Sequence, residues 1–198
     1  VGTNYDFPLG SGTTPDGRYD VSLANQPTQA ALNTLIAAYG LPALAFTPSR
    51  SYGFNSNNTL WNAANAANFI PALNDPNTVS ASAFPPGGSV TYNFGPVNNL
   101  ILPFERWNIF GKGTYSVWED YVKFFSTFLF TQDSAASQLA STPATGLTVP
   151  VTNPYLPTDL KTLLASRTVN PAANFTFRKR FVENGPRIGR SVASTFQM

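Results

Sequence analysis

Trp118-Glu119-Asp120-Tyr121-Val122-Lys123-Phe124-Phe125-Ser126-Thr127-Phe128-Leu129-Phe130 is the stretch on which the fold turns. Read with a period near 3.6, Trp118, Tyr121, Val122, Phe125 and Leu129 fall at i, i+3, i+4, i+7 and i+11, the apolar stripe of an amphipathic helix. Glu119 and Lys123 then make an i,i+4 pair on its polar side. The stretch is expected to be the strongest helix of the chain. Phe124, Phe128 and Phe130 crowd its outer side as well. Core packing accounts for one aromatic side; the other calls for a partner surface.

Working outward, Asp133 to Ala140 reads as a further short turn of helix. Thr158 and Asp159 begin another, with Leu160, Leu163 and Leu164 as its apolar face. On the N-terminal side, Pro27 opens a helix carrying Leu32, Leu35, Ile36 and Tyr39, which Gly40 and Pro42 stop. Asn58 or Thr59 caps a thinner helix over 60–70, built mostly of Ala and Asn. Strand patterns are fewer. Val90, Tyr92 and Phe94 alternate with Thr91 and Asn93, residues 97–102 suggest a second strand, and 175–181 carry aromatics at alternate positions. Thr14-Pro15-Asp16-Gly17 is a turn, and 71–88 and 141–157 are Pro-rich connections.

These elements sum to an α+β fold: mixed helices and short antiparallel strands, long Pro/Gly-rich loops and extended terminal arms. A β-rich jelly-roll or sandwich is the alternative if strands are undercounted. The chain is organised as an extended N-terminal arm (1–26), a mixed body (27–166) and a basic C-terminal strand and tail (167–198). Loops this long are easier to understand if they pack against other subunits.

Charge is scarce and unevenly placed. Charged residues are 11% of the 198, against roughly 25% in ordinary soluble domains, while Asn alone occurs nineteen times. From Arg167 onward there are six basic residues and one acid, a balance of +5; residues 1–166 hold six basic and nine acidic residues, a balance of −3. A nearly neutral, aromatic-rich surface is weakly protected against association. The basic end suggests an anionic contact.

The absences exclude more than the motifs assign. Neither Cys nor His is present, so disulfides, thiolate and imidazole catalysis and ordinary zinc or copper sites are ruled out. No apolar run reaches the ~18 residues of a membrane-spanning helix. Phe110-Gly111-Lys112-Gly113-Thr114 lacks the spacing of a phosphate loop, since position 106 is Arg and Lys112 is followed by Gly; it reads as a tight loop. Glu105 with Glu119 or Asp120 has no catalytic spacing and reads as ordinary ion-pair partners of Arg106 and Lys123. No catalytic residue, metal site or cofactor is expected, and the chain is not read as an enzyme.

Two groups remain. Arg178, Lys179 and Arg180, with Arg187 and Arg190 beyond them, interleave with phenylalanines in a way suited to a neighbouring subunit or to packaged nucleic acid. Trp107, Trp118, Phe124 and Phe128 are the candidate interface aromatics. Low charge, abundant Asn, Pro and Phe, no Cys or His and a basic terminus resemble the composition of virion shell proteins. That resemblance implies a structural subunit of a viral or phage capsid, partnered by copies of itself and other shell proteins, with packaged nucleic acid as a further candidate partner, and located in the virion. The alternative is an extracellular structural or adhesive protein at the cell surface, a filament or surface-layer subunit.

Overall fold

The computed structural model describes residues 10–80, 90–118 and 121–198. Its backbone is mostly strand, 41% against 15% helical with two α-helices, in three antiparallel sheets that do not form a closed barrel. The α+β expectation is overturned. In chain order the elements are β1 (Gly10–Ser11), β2 (Arg18–Asp20), α1 (Gln29–Ala38), β3 (Ser51–Phe54), β4 (Leu60–Asn62), β5 (Thr78–Val79), β6 (Thr91–Asn93), β7 (Phe104–Val117), β8 (Val122–Leu139), β9 (Pro143–Val149), α2 (Thr158–Ala165), β10 (Phe175–Arg180) and β11 (Arg187–Gln197).

The chain divides into two compact units, Val1–Pro96 with Ala140–Gly185, and Val97–Leu139 with Pro186–Met198. The segment 1–26 thus supplies β1 and β2 to the first unit, and 167–198 is shared between both. The first unit holds a five-stranded sheet in the order β4-β3-β2-β10-β9 and a small sheet β1-β6-β5. Registers Phe177↔Tyr19 and Tyr19↔Tyr52 set aromatic rings side by side on one face, and alternation adds Phe175 and Leu60 to it. That face packs with Leu32, Leu35 and Ile36 of α1 and Leu160, Leu163 and Leu164 of α2 in one core. Both helices formed where they were expected, although α2 follows Pro157 without a side-chain cap. The Thr28 hydroxyl accepts the Ala31 N–H at 3.3 Å as the N-cap of α1, and Gly40, at φ 73°, follows its C-terminal end.

Four expected elements are replaced. Residues 60–70 form β4 and then turns, with Ala66 and Asn68 at positive φ. Asn side chains cause this: Asn62 accepts the Ala64 N–H at 2.8 Å, Asn65 accepts that of Ala67 at 3.1 Å, and Asn68 donates to the Leu60 carbonyl at 2.7 Å. Each competes with a helical hydrogen bond. Residues 97–102 are turn and bend, and 133–140 fall mainly in β8. The helix expected over 118–129 is instead the tip and first half of a long hairpin, β7 turning through Trp118, at φ 59°, into β8. Its residues are aromatic, β-branched and Ser/Thr, the types that fit a pleated surface, and fourteen consecutive cross-strand partners lie opposite, from Phe104↔Ala135 to Val117↔Val122. Glu119 and Asp120, with the expected Glu119–Lys123 pair, lie outside the described residues, as does much of the 71–88 loop.

Among the described residues no helix is long and apolar enough to cross a membrane.

Candidate assembly surface

The second unit is a three-stranded ribbon in the order β11-β8-β7. At about 3.3 Å per residue, the fourteen residues of β7 span roughly 46 Å. Register assigns every side chain to a face, because residues opposite one another share a side and neighbours along a strand alternate. One face takes odd positions of β7, even positions of β8 and even positions of β11. It carries Trp107, Ile109, Tyr115 and Val117 from β7, Val122, Phe124, Phe128 and Phe130 from β8, and Ile188, Val192 and Phe196 from β11. The rings of Phe128 and Phe196 lie 5.5 Å apart on it, and a Cβ added to Gly111 would touch Phe128 at 3.3 Å. Both contacts agree with the register.

This apolar face is open to solvent. Trp107 is 70% exposed, Tyr115 70%, Phe124 63% and Phe196 55%, and Trp118 at the hairpin tip reaches 83%. Monomeric proteins rarely leave so continuous an apolar patch uncovered. The edges β7 and β11 also present unpaired backbone along their outer sides, a template for strand addition. The opposite face is mixed and net basic: Phe104, Phe110, Phe125, Leu129 and Leu139 lie among Arg106, Lys112, Lys123 and Arg187, and Asp133 is the one carboxylate among its described strand residues. Arg106 grips Asp133, its direct cross-strand partner, with Nε at 2.6 Å and Nη2 at 3.0 Å. That pairing holds the Asp133 carboxyl below its ordinary pKa.

Of the expected interface aromatics, Trp107, Phe124 and Phe128 share the apolar face and Trp118 sits at the tip. Val122 and Phe130, read above as parts of a helix, join them, and Ile109, Tyr115, Val117, Ile188, Val192 and Phe196, which were not singled out in the sequence, complete the face. The alternation of 122, 124, 128 and 130 was the available signal. The Gly111-Lys112-Gly113 segment, expected as a tight loop, lies inside β7.

The basic group is divided between the units. Arg187 and Arg190 lie on β11, whereas Arg178, Lys179 and Arg180 belong to β10 in the first unit. There the Arg178 Nη2 meets Asp20 at 2.7 Å. Arg180 is buried, donating Nη1 to the Ser141 carbonyl at 2.7 Å and Nε to that of Thr13 at 3.3 Å, and Lys179 pairs with Glu183 at 3.1 Å. Arg167 is buried too and donates to the carbonyls of Leu164, Pro171 and Ala173. Arg18 on β2 joins this layer, holding the Ser51 hydroxyl through Nε and Nη2 and lying 5.5 Å from the centroid of Trp61. Burial first, and then the nearby Arg178, pull its pKa down to about 10 against the opposing Asp20. The sheet face away from the helices is thus an arginine layer that ties loops together.

No cluster of three or more potential ligand side chains of the kind that holds a metal occurs among the described residues. Glu105 lies exposed on β7, and its expected companions Glu119 and Asp120 are outside the described residues. A cleft of about 400 Å³ in the first unit, lined in part by Asp16, Phe54, Asn58, Tyr155, Phe177 and Lys179, offers one carboxylate and one ammonium beside aromatic walls. That set can hold a small polar molecule. In comparison with known protein families, curated proteins and solved structures, the chain matches none.

Proposed function

We propose that the chain is a structural subunit of a self-assembling shell, a viral or phage capsid, and that the ribbon of β7, β8 and β11 is its principal assembly surface. The observation that carries this reading is the apolar face of the ribbon, eleven aromatic and aliphatic side chains on one side, eight of them exposed. Burying such a face returns roughly 25 cal/mol for each Å² removed from water, which favours association over a free monomer. A charged fraction of 11% leaves little electrostatic opposition to that association. The other face of the ribbon supports a second element of the reading: its excess of cations, Arg187 among them, suits contact with packaged nucleic acid. Any such contact is assigned to this face rather than to Arg178 and Arg180, whose guanidiniums are held by Asp20 and by the carbonyls of Thr13 and Ser141 inside the first unit.

The test is sedimentation velocity and negative-stain microscopy of the purified chain, with the 260/280 nm absorbance ratio read on the assembled fraction. Closed particles of uniform size are the expected result, and excess 260 nm absorbance would mark bound nucleic acid. Fibres or flat lattices without nucleic acid would transfer the protein to the class of filament or surface-layer subunits, the outcome that edge-to-edge pairing of β7 and β11 would give. A monodisperse monomer at high concentration would overturn the assembly reading altogether.

A further inference from the structure

We propose that the apolar face of the ribbon is closed by the same face of a second copy, about a two-fold axis running along the ribbon, so that Glu105 of each copy meets Arg190 of the other. This rests on the assembly reading and names the partner and its orientation.

The argument begins with the two charges on that face. Among its described positions only Glu105 and Arg190 are ionic, and neither forms an ion pair with another described residue. They stand on opposite edge strands at the same end: Glu105 is opposite Ser134 of β8 and Arg190 opposite Ala136. Two strand spacings and two residues of offset put their backbones about 12 Å apart within one copy. Covering this face with an apolar partner would strand an acid and a base in a dry contact, and an unpaired buried charge is costly. The cover must carry the opposite charges in the same places.

A second copy does so in one orientation. Turning a ribbon over about its long axis keeps its ends in place and exchanges its edges, so β7 lies over β11 of the partner. Glu105 then sits level with Val192 of the partner subunit and one alternation, about 7 Å, from the partner's Arg190. The symmetry repeats the contact with roles exchanged, as an isologous interface requires. Sizes complement as well. Trp107 and Ser194 both lie level with Gln132 of β8, and Ile109 and Phe196 both with Phe130, so the largest ring of the face meets a serine. On the axis, β8 faces its own copy, with Gly111 and Gly113 leaving room beside Phe124 and Phe128. Turning the partner end for end instead brings Glu105 and Arg190 to its Val117 and Val122 tip, where that face offers no charge. Three strands at about 4.8 Å spacing over this length give a face on the order of 600 Å². Two such faces together bury an area at the lower end of specific interfaces.

Charge exchange in the full-length chain tests the orientation. Glu105→Arg and Arg190→Glu, each alone, are expected to weaken self-association about tenfold or more by sedimentation velocity, and the double exchange to restore it to within a few-fold. Both sites are exposed on the strand surface, and circular dichroism checks that the variants stay folded. Because the chain has no cysteine, a second measurement is clean: a mixture of Glu105→Cys and Arg190→Cys chains treated with a short bis-maleimide is expected to give a cross-linked pair that neither variant gives alone. Neutral single exchanges, or a double exchange that fails to rescue, overturn the two-fold arrangement. If Trp107→Ser and Phe128→Ser still abolish assembly in that case, the ribbon remains the assembly surface and only the partner's orientation was wrong. If those two also leave assembly intact, the reading of the ribbon falls with it.

Discussion

The guanidinium of Arg180 lies 4.8 Å from the ring centroid of Tyr92, joining the last residue of β10 to the middle of β6. With 4% of the residue exposed and its Nε and Nη1 donating to the carbonyls of Thr13 and Ser141, this arginine is a fastening between segments distant in sequence. Truncating it orphans two carbonyls and removes a stacked cation. Arg180→Ala is therefore expected to cost about 2–4 kcal/mol in urea unfolding. In the unassembled chain Arg190→Ala, on the exposed face of β11, should stay within about 0.5 kcal/mol. Equal effects for the two would contradict the division of the basic group.

Gly53 and Trp61 give a prediction of the opposite kind. They face each other across β3 and β4, and the indole covers the glycine so closely that an added Cβ would fall 1.9 Å from its Cζ2. Trp61 is fully buried and its Nε1 donates to the Phe54 carbonyl at 2.9 Å, so it has nowhere to retreat. Gly53→Ala is expected to destabilise by about 3 kcal/mol or more. Gly113→Ala on β7, with open space where the Cβ would go, serves as the control and should be neutral or slightly stabilising. Differential scanning calorimetry distinguishes them.

What could be read from the sequence follows the range over which each signal acts. The two helices, the alternation at Val90–Phe94 and the aromatic spacing in Phe175–Phe181 were legible because caps, stops and periodicity are local. Residues 118–130 were ambiguous in a physical sense: Val122, Phe125 and Leu129 satisfy a helix, while Val122, Phe124, Phe128 and Phe130 satisfy a strand. The partner that decides between them, 104–117, had no pattern strong enough to announce itself. An excess of aromatics over what one core could use was visible, and three of the four residues chosen for it share the exposed face. The setting of the β10 arginines was hidden for a related reason. Burial of Arg180 depends on the carbonyls of Thr13 and Ser141 arriving from far along the chain, and no spacing within Phe175–Phe181 records that.

Asp16 carries a pH prediction. Partial burial first, and then the neighbouring Asp75, raise its pKa in the folded protein above 3.8, with Lys179 pulling the other way. A folded-state acid that holds its proton more tightly than the unfolded chain makes the protein lose stability as pH climbs from about 3.8 through the raised value. Above that value the full cost of the buried charge is present. Asp16→Asn removes the cost, so its melting temperature should exceed that of the parent at pH 7, and the two should converge near pH 3. A lower melting temperature at pH 7 would show that the carboxylate is a net stabilising partner of Lys179.

Removing the C-terminal segment is the obvious way to ask whether the basic end binds anything, and the sheet order shows why the cut position decides the answer. β10 is not a tail but an inner strand, hydrogen-bonded to β2 on one side and β9 on the other. A chain ending at Asn174 loses Phe175 from the helix-facing core, Phe177 from its margin and Arg180 from the opposite layer. It also leaves two strand edges unpaired in the middle of the sheet. No cooperative urea transition is expected for it, so a loss of nucleic acid there would report unfolding. A chain ending at Gly185 loses only β11, whose one strand partner is β8 in the second unit. It should keep the near-ultraviolet circular dichroism of Tyr19, Tyr52 and Trp61 and a cooperative transition, while failing to assemble because the face has lost Ile188, Arg190, Val192 and Phe196. A cooperative transition in the shorter chain would mean that β2 and β9 close the sheet without β10, and the register that places every residue of the first unit would have to be redrawn.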